Sequence, residues 1–194
     1  MGADGPALPP ALGFHTIRGM PASKRRDAFY AVWPTAWGAM GGVAGPNGAV
    51  RRLVLPHYLP DDLRELLAWE HPGAAEDARC FERLIERTRA YFDRERAGFD
   101  DINCELPGPG TFSGVVARAA RQIPYGETRS YGDLARRIGR PDAARAVATA
   151  MSKNRIPLIV PCHRVTYADG SPGGFSAPDG VELKQRMLRL ESRA

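Results

Sequence analysis

A proline- and glycine-rich connector, FDDINCELPGPGT at residues 99–111, separates two halves of the chain with different hydrophobic patterns. Before it, residues 29–56 contain short aromatic and apolar runs on either side of the turn signal GPNG, typical of a small antiparallel sheet. After it, successive segments show the period of a helix. A strand-rich half followed by a helix-rich half predicts a mixed α/β (α+β) fold.

The connector also predicts the division of the chain into domains. Residues 26–106 are expected to form a sheet and helix domain, and residues 107–194 a mainly helical domain. Residues 1–25, rich in proline, glycine and alanine, are expected to be a flexible lead-in without the features of a secretory signal. No apolar stretch approaches the length of a membrane span, which predicts a cytoplasmic protein.

Two helices are predicted to pack on the sheet of the first half. The sequence LPDD offers Asp61 or Asp62 as the N-cap of a short helix over residues 63–71. A longer helix is predicted from Ala74 to Glu95, because its apolar residues recur on one helical face. Those residues are Phe81, Leu84, Ile85, Tyr91 and Phe92.

The second half predicts three short helices in succession and a fourth at the end of the chain. Thr111 is expected to cap FSGVVARAARQI, Ser130 to cap SYGDLARRIG, and Asp142 to cap AARAVATAMSKN. The second and third of these are joined by a tight turn containing Gly139, which suggests a helix-turn-helix. VELKQRMLRLE forms the final helix.

The third helix is unusual for a protein that reads a DNA sequence. Such helices carry long polar side chains that reach base edges in the major groove, whereas AARAVATA offers small residues and Arg145. A slender helix can approach a DNA backbone closely, and Arg145 would be its one side chain able to reach into the base stack. A tightly packed alanine-rich helix with a solvent-facing arginine is the alternative that this segment leaves open.

Composition excludes little by itself. The net charge of +5 and pI near 9.4 are compatible with a polyanionic partner without requiring one. Cys80, Cys104 and Cys162 are an odd number without paired short spacing, which argues against a disulfide framework and for a reducing compartment. His57 and His71 lie at no spacing that suggests a zinc site.

The segment IPLIVPCHRV brings a thiol, an imidazole and a guanidinium together. Ile156–Val160 is predicted to be a buried strand ending at Pro161. Adjacent side chains on a strand point to opposite faces, so Cys162 and His163 need a bend or a bridging water to act together. A third group must orient the imidazole, and Glu191 on the last helix is a candidate. An inert buried thiol beside a capping histidine remains the alternative.

Four segments together resemble the O6-alkylguanine-DNA alkyltransferase family, also called methylated-DNA–protein-cysteine methyltransferases. They are IPYGETRSYGDLA, AARAVATAM, NRIPLIVPCHRV and LKQRMLRLE, at consistent spacing between Phe112 and Glu191. The resemblance implies an RNase-H-like N-terminal domain and a C-terminal domain that binds duplex DNA in the minor groove through its helix-turn-helix. It further implies direct, stoichiometric transfer of an alkyl group from O6-alkylguanine to the protein.

The resemblance assigns the reacting groups to specific positions. Cys162 would be the alkyl acceptor, and its proton would pass through a water to His163, which Glu191 holds in the required tautomer. The resulting thiolate attacks the alkyl carbon, because a neutral thiol is a poor nucleophile at neutral pH. Tyr131 would crowd the 3′ phosphate to drive base flipping and would donate a hydrogen bond to guanine N3.

The resemblance also implies a DNA-binding surface and a base pocket. Arg145 would replace the flipped nucleotide in the stack, and the carbonyls of Cys162 and Val165 would accept from the guanine amino group. The Ser176 N–H would bond O6, Asn154 would tie the third helix to the active-site turn, and Phe175 would line the pocket. Arg164 is expected to pair with the N-terminal domain. The small residues expected against DNA are Ala143, Ala144, Ala146, Ala148 and Thr149.

Some residues depart from the family pattern. Ala148 and Thr149 stand where many relatives carry two glycines, and Phe175 where tyrosine is frequent. The active-site loop reads GGFSAPDG at residues 173–180, with Ala177–Pro178 where glycines are common in the family, which predicts a stiffer and narrower loop. Val116 or Ala117 lies near a position where the family usually has tryptophan.

The implied partner is double-stranded DNA containing O6-alkylguanine, bound by a monomer without a cofactor, a metal or a membrane. In a prokaryote the protein would be associated with the nucleoid. One alternative is an alkyltransferase-like protein that binds lesions without repair, but such proteins lack the acceptor that Cys162 provides. A transcription regulator would need base-reading side chains on the third helix, and a cysteine hydrolase would need a direct Cys–His contact and an oxyanion hole.

Overall fold

The computed structural model describes residues 27–177 and 179–192, so the predicted lead-in at residues 1–25 and Pro178 lie outside the described residues. Within the described residues, strands dominate the first half of the chain and helices the second, which confirms the predicted mixed α/β fold. No helix in these parts of the chain combines the length and apolar character needed to cross a membrane.

A four-stranded sheet forms the centre of the first half. Its strands are β1 (Phe29–Thr35), β2 (Gly38–Ala44), β3 (Val50–Val54) and β4 (Ala75–Glu76). They lie in the order β3-β2-β1-β4, with β2 antiparallel to both neighbours and β4 parallel to β1. The predicted antiparallel sheet is therefore confirmed. Strand β4 was not predicted, because its two residues fell in the segment predicted as a helix. The RNase-H-like topology implied by the resemblance stays a prediction.

Helix α1 (Pro60–Glu70) begins before the predicted cap. Leu59 is the N-cap residue and makes no side-chain cap bond, so the prediction of Asp61 or Asp62 as N-cap is wrong. Pro60 occupies the first turn, where its fixed φ suits a helix and its missing N–H leaves no donor unpaired. Asp61 and Asp62 lie in that first turn instead, where their charges favour the helix dipole.

The observed helix is shorter than the one predicted from Ala74 to Glu95, because the first residues of that segment pair with the sheet as β4. The Asp77 N–H donates to the Tyr30 carbonyl of β1, and the Ala75 N–H donates to the Ala28 carbonyl just before that strand. The Asp77 carboxylate accepts from the Arg79 N–H at the start of a 3₁₀ turn. Helix α2 (Glu82–Phe92) follows and ends before Arg94, whose φ of 68° is left-handed. The predicted apolar face is turned to the core.

The two helices cover opposite faces of the sheet. Leu63 and Leu67 of α1 pack against Gly41, where an added Cβ would lie 2.8 Å from a Leu67 methyl carbon. On the other face, the Trp33 indole N–H donates to the Thr88 hydroxyl of α2 at 2.9 Å. Gly41 is thus required for α1 to approach the sheet this closely.

The helices of the second half are α3 (Phe112–Arg121), α4 (Tyr131–Arg137), α5 (Ala144–Ser152) and α6 (Gly180–Glu191). Thr111 accepts from the Gly114 N–H, and Ser130 forms a reciprocal capping box with Asp133, which confirms both predicted caps. Asp142 is not a cap: it lies inside a 3₁₀ turn over Pro141–Ala143 that leads into α5 without a side-chain cap.

A short parallel ladder brings distant segments of the second half together. Strand β5 (Arg129–Ser130) pairs with β6 (Val165–Thr166). Since β5 leads into α4 and β6 follows the PCHR segment, this pairing places the start of α4 beside the residues after Cys162. The ladder therefore aligns Tyr131 with the candidate site.

The segment Ile156–Val160 is not the predicted strand but a series of turns. Val160 N–H donates to Ile156 O at 2.9 Å, and Leu158 has a left-handed φ of 71°. The run is apolar because it is buried, and burial alone does not distinguish a strand from a turn whose polar groups are paired locally.

One hydrophobic cluster runs through both halves of the described chain. It joins Trp33 and Tyr91 of the first half to Val116, Val160 and Met187 of the second. Val116, which lies near the usual family tryptophan position, is fully buried in it. The division near residue 106 stays a prediction.

Candidate active site

Cys162 lies in a 3₁₀ turn over Cys162–Arg164, directly after Pro161. The turn supplies the bend that the adjacent Cys and His require, because it replaces the two-residue alternation of a strand. Of the three cysteines, Cys162 is the buried one, while Cys80 and Cys104 are half-buried.

Asn154 holds the turn and the thiol together. Its side-chain amide donates to the Val160 carbonyl at 2.8 Å and to Cys162 Sγ at 3.1 Å, while its oxygen accepts from the Ile156 N–H at 3.1 Å. Burial raises the pKa of the Cys162 thiol, and the Asn154 hydrogen bond and the positive charge of Lys184 act in the opposite direction. The thiol is thus kept protonated by burial, with two groups placed to favour its ionised form.

His163 is fully buried and bonded to the last helix. Its Nε2 lies 2.7 Å from Glu191 Oε1, and its Nδ1 is buried with no partner among the described residues. Burial lowers the pKa of His163 against the opposing effect of Glu191, so the imidazole is neutral at pH 7. With an ionised Glu191, the proton resides on Nε2, and Nδ1 is left as an acceptor.

The buried Glu191 carboxylate accepts hydrogen bonds from several donors. Besides His163, they are the Tyr91 hydroxyl at 2.9 Å, Arg164 Nε at 2.9 Å and Nη2 at 3.0 Å, and the Gly126 N–H at 3.1 Å. Burial opposes ionisation, but the bonds and charges of His163 and Arg164 outweigh it and lower the pKa of Glu191 to about 2. Glu191 is therefore a carboxylate at neutral pH.

Of these contacts, the one between His163 and Glu191 was predicted and the others were not. Arg164 was expected to pair with the N-terminal domain, but it pairs with Glu191 and donates to the Ile123 carbonyl at 2.8 Å. The reason is geometric: the 3₁₀ turn directs His163 and Arg164 to the same carboxylate. The contact from the first half comes instead from Tyr91, which the sequence identified only as a core residue.

Tyr131, the first residue of α4, is buried close to the active-site loop. A Cβ at Gly173 would lie 2.7 Å from the Tyr131 hydroxyl, and the φ of Gly173 is 64°, so both space and backbone conformation require glycine there. The Tyr167 ring packs against the Tyr131 ring at 5.4 Å between centroids. Burial raises the pKa of Tyr131, which keeps its hydroxyl protonated as a donor.

Helix α5 presents Arg145 to solvent. Ala146 and Thr149 are also exposed, Ala144 and Ala148 are half-buried, and the Thr149 hydroxyl is turned back onto the Arg145 carbonyl at 3.1 Å. The last of the predicted small residues, Ala143, lies in the 3₁₀ turn before the helix. The solvent-facing surface of α5 therefore carries small side chains and one long side chain, that of Arg145.

The active-site loop is attached at two points in its C-terminal part. The Ser176 hydroxyl donates to the Ser152 carbonyl at the end of α5, and Asp179 lies 3.0 Å from His57 Nδ1 in the loop before α1. Phe175 and Ala177 are half-buried against the main core cluster. The loop is thus held between α5 and the first half of the chain.

Comparison with known proteins agrees with these features. The family model described as 6-O-methylguanine DNA methyltransferase, DNA binding domain, matches residues 111–193. A methylated-DNA–protein-cysteine methyltransferase of Mycolicibacterium paratuberculosis is 46% identical over 121 residues, covering 62% of this chain and 71% of the relative. One from Methanosarcina acetivorans is 42% identical over 117 residues, covering 60% of this chain and 72% of the relative.

A solved structure extends the similarity to most of the described chain. The crystal structure of Mycobacterium tuberculosis OGT in complex with DNA is similar with a TM-score of 0.71 and 33% identity, covering 85% of this chain and 93% of that chain. The similarity therefore includes the sheet of the first half as well as the helix-turn-helix. From its sequence and its fold, the chain belongs to the methylated-DNA–protein-cysteine methyltransferase family.

Proposed function

We propose that this chain repairs duplex DNA by transferring the alkyl group of O6-alkylguanine to Cys162 in a single, irreversible turnover. The observation that carries the proposal is the buried pair formed by His163 and Glu191 of α6, 2.7 Å apart, because His163 lies in the same 3₁₀ turn as the Cys162 thiol. A solved relative is a complex with DNA, and α4 and α5 provide the helix-turn-helix with which this chain would bind its own substrate.

The proposed activation of Cys162 uses the unpartnered nitrogen of His163. Among the described residues, the side-chain hydrogen bond to Sγ comes from Asn154 and none joins Sγ to the imidazole, so a water between Sγ and Nδ1 would carry the proton. The thiol S–H bond breaks, the water passes a proton to Nδ1, and the imidazolium is stabilised by Glu191 through Nε2. A cysteine hydrolase is disfavoured for the same reason, because its nucleophile and base contact each other directly.

In the transfer step, the thiolate attacks the alkyl carbon and a C–S bond forms as the C–O6 bond breaks. The electron pair of that bond remains on guanine, and a hydrogen bond from the Tyr131 hydroxyl to N3 would stabilise the departing anion until it takes up a proton. The thioether of Cys162 has no hydrolytic route back to a thiol. Each protein molecule would therefore remove one lesion.

Stoichiometry tests this proposal. Incubation with a duplex carrying a labelled O6-methylguanine is expected to move label to the protein up to one equivalent, with the added methyl group found on the Cys162 peptide by mass spectrometry. Continued turnover beyond one equivalent, or label on another residue, would contradict single-use transfer to Cys162. Retention of label in the DNA despite tight binding would favour a lesion-binding protein.

Arg145→Ala is expected to slow repair in duplex DNA without changing reaction with the free base O6-methylguanine. Flipping a base costs a few kcal/mol, and the exposed Arg145 side chain would offset part of this by filling the vacated stack. We expect a loss of at least about tenfold in the duplex, since each 1.4 kcal/mol is a factor of ten. The measurement is single-turnover kinetics with both substrates.

The matched control for Arg145→Ala is Arg137→Ala, which removes an equally exposed charge from α4. This control should weaken duplex binding through salt-dependent phosphate attraction while leaving the rate at saturating DNA unchanged. Equal losses for Arg145→Ala on the duplex and on the free base would argue against a role in flipping.

The active-site loop predicts a preference for small alkyl groups. Ser176 bonds to the end of α5, Asp179 lies within hydrogen-bond distance of His57, and Ala177 is half-buried. Because the loop is held in this way, the pocket has little room to widen. O6-Benzylguanine should react more slowly than O6-methylguanine, and Ala177→Gly should reduce that difference. The rates of the two free bases with wild type and variant give the measurement, and equal wild-type rates would refute the narrow loop.

A further inference from the structure

Lys184, in α6, is a fully buried lysine in the described chain. Its Nζ donates to the Val165 carbonyl at 2.6 Å. Cys162 is the one ionisable group whose charge favours the ammonium form, and no carboxylate among the described residues does so. A buried ammonium without a carboxylate partner is expensive, since its hydration is lost and only partly replaced.

The surroundings of Lys184 belong to the candidate site. Its Nζ lies 5.7 Å from the centre of the Tyr131 ring, whose π face attracts a cation. The carbonyl that it contacts, Val165 O, directly follows the Cys162–Arg164 turn. Burial lowers the pKa of Lys184 to about 8, so the side chain remains mostly a cation at pH 7.

A purely structural role does not require this charge. The Val165 carbonyl could be satisfied by a neutral donor, and a methionine would fill a similar volume in α6 without the desolvation penalty. The charge is therefore placed where it costs stability, which is the usual condition of a group that serves a functional site.

We propose that Lys184 is a positioning residue that stabilises the thiolate of Cys162 by its positive charge, a role that rests on the proposed alkyl transfer to Cys162. Proton transfer from Cys162 to His163 turns two neutral groups into an anion and a cation. The four groups then carry alternating charges: Lys184 is positive, the Cys162 thiolate negative, the His163 imidazolium positive and Glu191 negative. The positive charge of Lys184 favours the Cys162 thiolate, and Glu191 stabilises the His163 imidazolium against the positive charges of Arg164 and Lys184.

The proposal is tested first without DNA, on the thiol itself. The titratable groups that face Lys184 are Cys162 and His163 of the turn and Tyr131 of α4. The pH dependence of Cys162 alkylation by iodoacetamide, read on the Cys162 peptide by mass spectrometry, gives the apparent pKa of the thiol. Lys184→Gln keeps a donor for the Val165 carbonyl but removes the charge, and Lys184→Arg keeps the charge.

Lys184→Gln is expected to raise the midpoint of Cys162 alkylation by about one pH unit, equivalent to a tenfold smaller thiolate fraction at pH 7. Lys184→Arg, which keeps the charge, should leave the midpoint close to that of the wild type. Lys153→Gln, which removes an exposed lysine after α5, is the matched control and should leave the midpoint unchanged. An unchanged midpoint in Lys184→Gln overturns the proposal, even if that variant repairs DNA slowly.

A reciprocal measurement covers the case in which the Lys184 variants fail to fold. Coupled groups shift each other's titration equally, so Cys162→Ala should lower the pKa of Lys184, followed by NMR of the lysine Cε and Nζ resonances. Identical Lys184 titrations in wild type and Cys162→Ala would overturn the proposal.

The same variants separate this inference from the proposed function. In single-turnover assays, Lys184→Gln should lose about tenfold in methyl transfer at pH 7 and saturating duplex, with its DNA affinity unchanged. Absence of transfer in wild type would refute the proposed function while the thiol titration still decides the coupling. Normal transfer in both wild type and Lys184→Gln would refute the coupling alone.

Discussion

Cys162→Ala is expected to abolish methyl transfer from O6-methylguanine and to leave binding to the lesion-containing duplex unchanged. The thiol is the only group that the proposed mechanism alkylates, so no residual rate is expected from the remaining groups. Binding should persist because α4 and α5 do not depend on the sulfur: Asn154 keeps its 2.8 Å bond to the Val160 carbonyl when the bond to Sγ is lost. Labelled-methyl transfer and duplex titration of the same preparation provide the measurement.

Cys104→Ala is the matched control for the acceptor. Cys104 is half-buried and accepts from Arg121 at 3.4 Å, well separated in the chain from the candidate site. This variant should transfer one equivalent at the wild-type rate. Transfer that survives Cys162→Ala, or is lost in a folded Cys104→Ala, would identify a different acceptor.

Glu191→Gln is expected to slow methyl transfer by about 100-fold, within the range for loss of general-base function. An uncharged amide cannot stabilise the imidazolium at His163, and its NH₂ group competes with His163 and Arg164 as a donor. The measurement is the single-turnover rate at saturating duplex. Glu182→Gln, on the exposed first turn of the same helix, is the matched control and should be neutral.

The same substitution should destabilise the fold. The pKa of Glu191 falls from 4.5 to about 2 on folding, which corresponds to about 3 kcal/mol at neutral pH. Because the folded pKa is the lower one, this stability is complete above pH 4.5 and is lost as the pH falls towards 2. The lowered pKa of His163 acts in the same direction, starting below pH 6.5.

Denaturant unfolding as a function of pH measures these contributions. Wild type should lose stability steadily from pH 6.5 downwards, and Glu191→Gln should start about 3 kcal/mol lower at pH 7 and show a flatter profile below pH 4.5. Parallel profiles for wild type and Glu191→Gln would show that folding does not lower the pKa of Glu191.

The sequence predicts helix caps correctly where a single side chain forms the cap. Ser130 caps α4 and Thr111 caps α3 because an oxygen three residues before an N–H pairs with it regardless of the rest of the fold. The predictions of Asp61, Asp62 and Asp142 as caps failed because proline or a 3₁₀ turn begins those helices earlier. A candidate cap is informative only once the first turn is known.

The predicted strand at Ile156–Val160 shows where periodicity stops being informative. A short buried run of apolar residues fits a strand or a packed turn equally well, and the choice depends on which groups satisfy its backbone. Here the Asn154 side chain accepts from one end of the run and donates to the other. The same side chain reaches Sγ, so the turn and the thiol are positioned together.

The sequence by itself determined the mixed α/β order of elements, and its local patterns and family motifs predicted the helix-turn-helix and the candidate residues Cys162, His163 and Glu191. Only the tertiary structure decided that Tyr91 and Arg164 converge on Glu191 and that Lys184 is buried beside the Cys162–Arg164 turn. These contacts join residues up to 100 positions apart in the chain. Burial and charge at such distances follow from how the elements pack, and no local pattern encodes them.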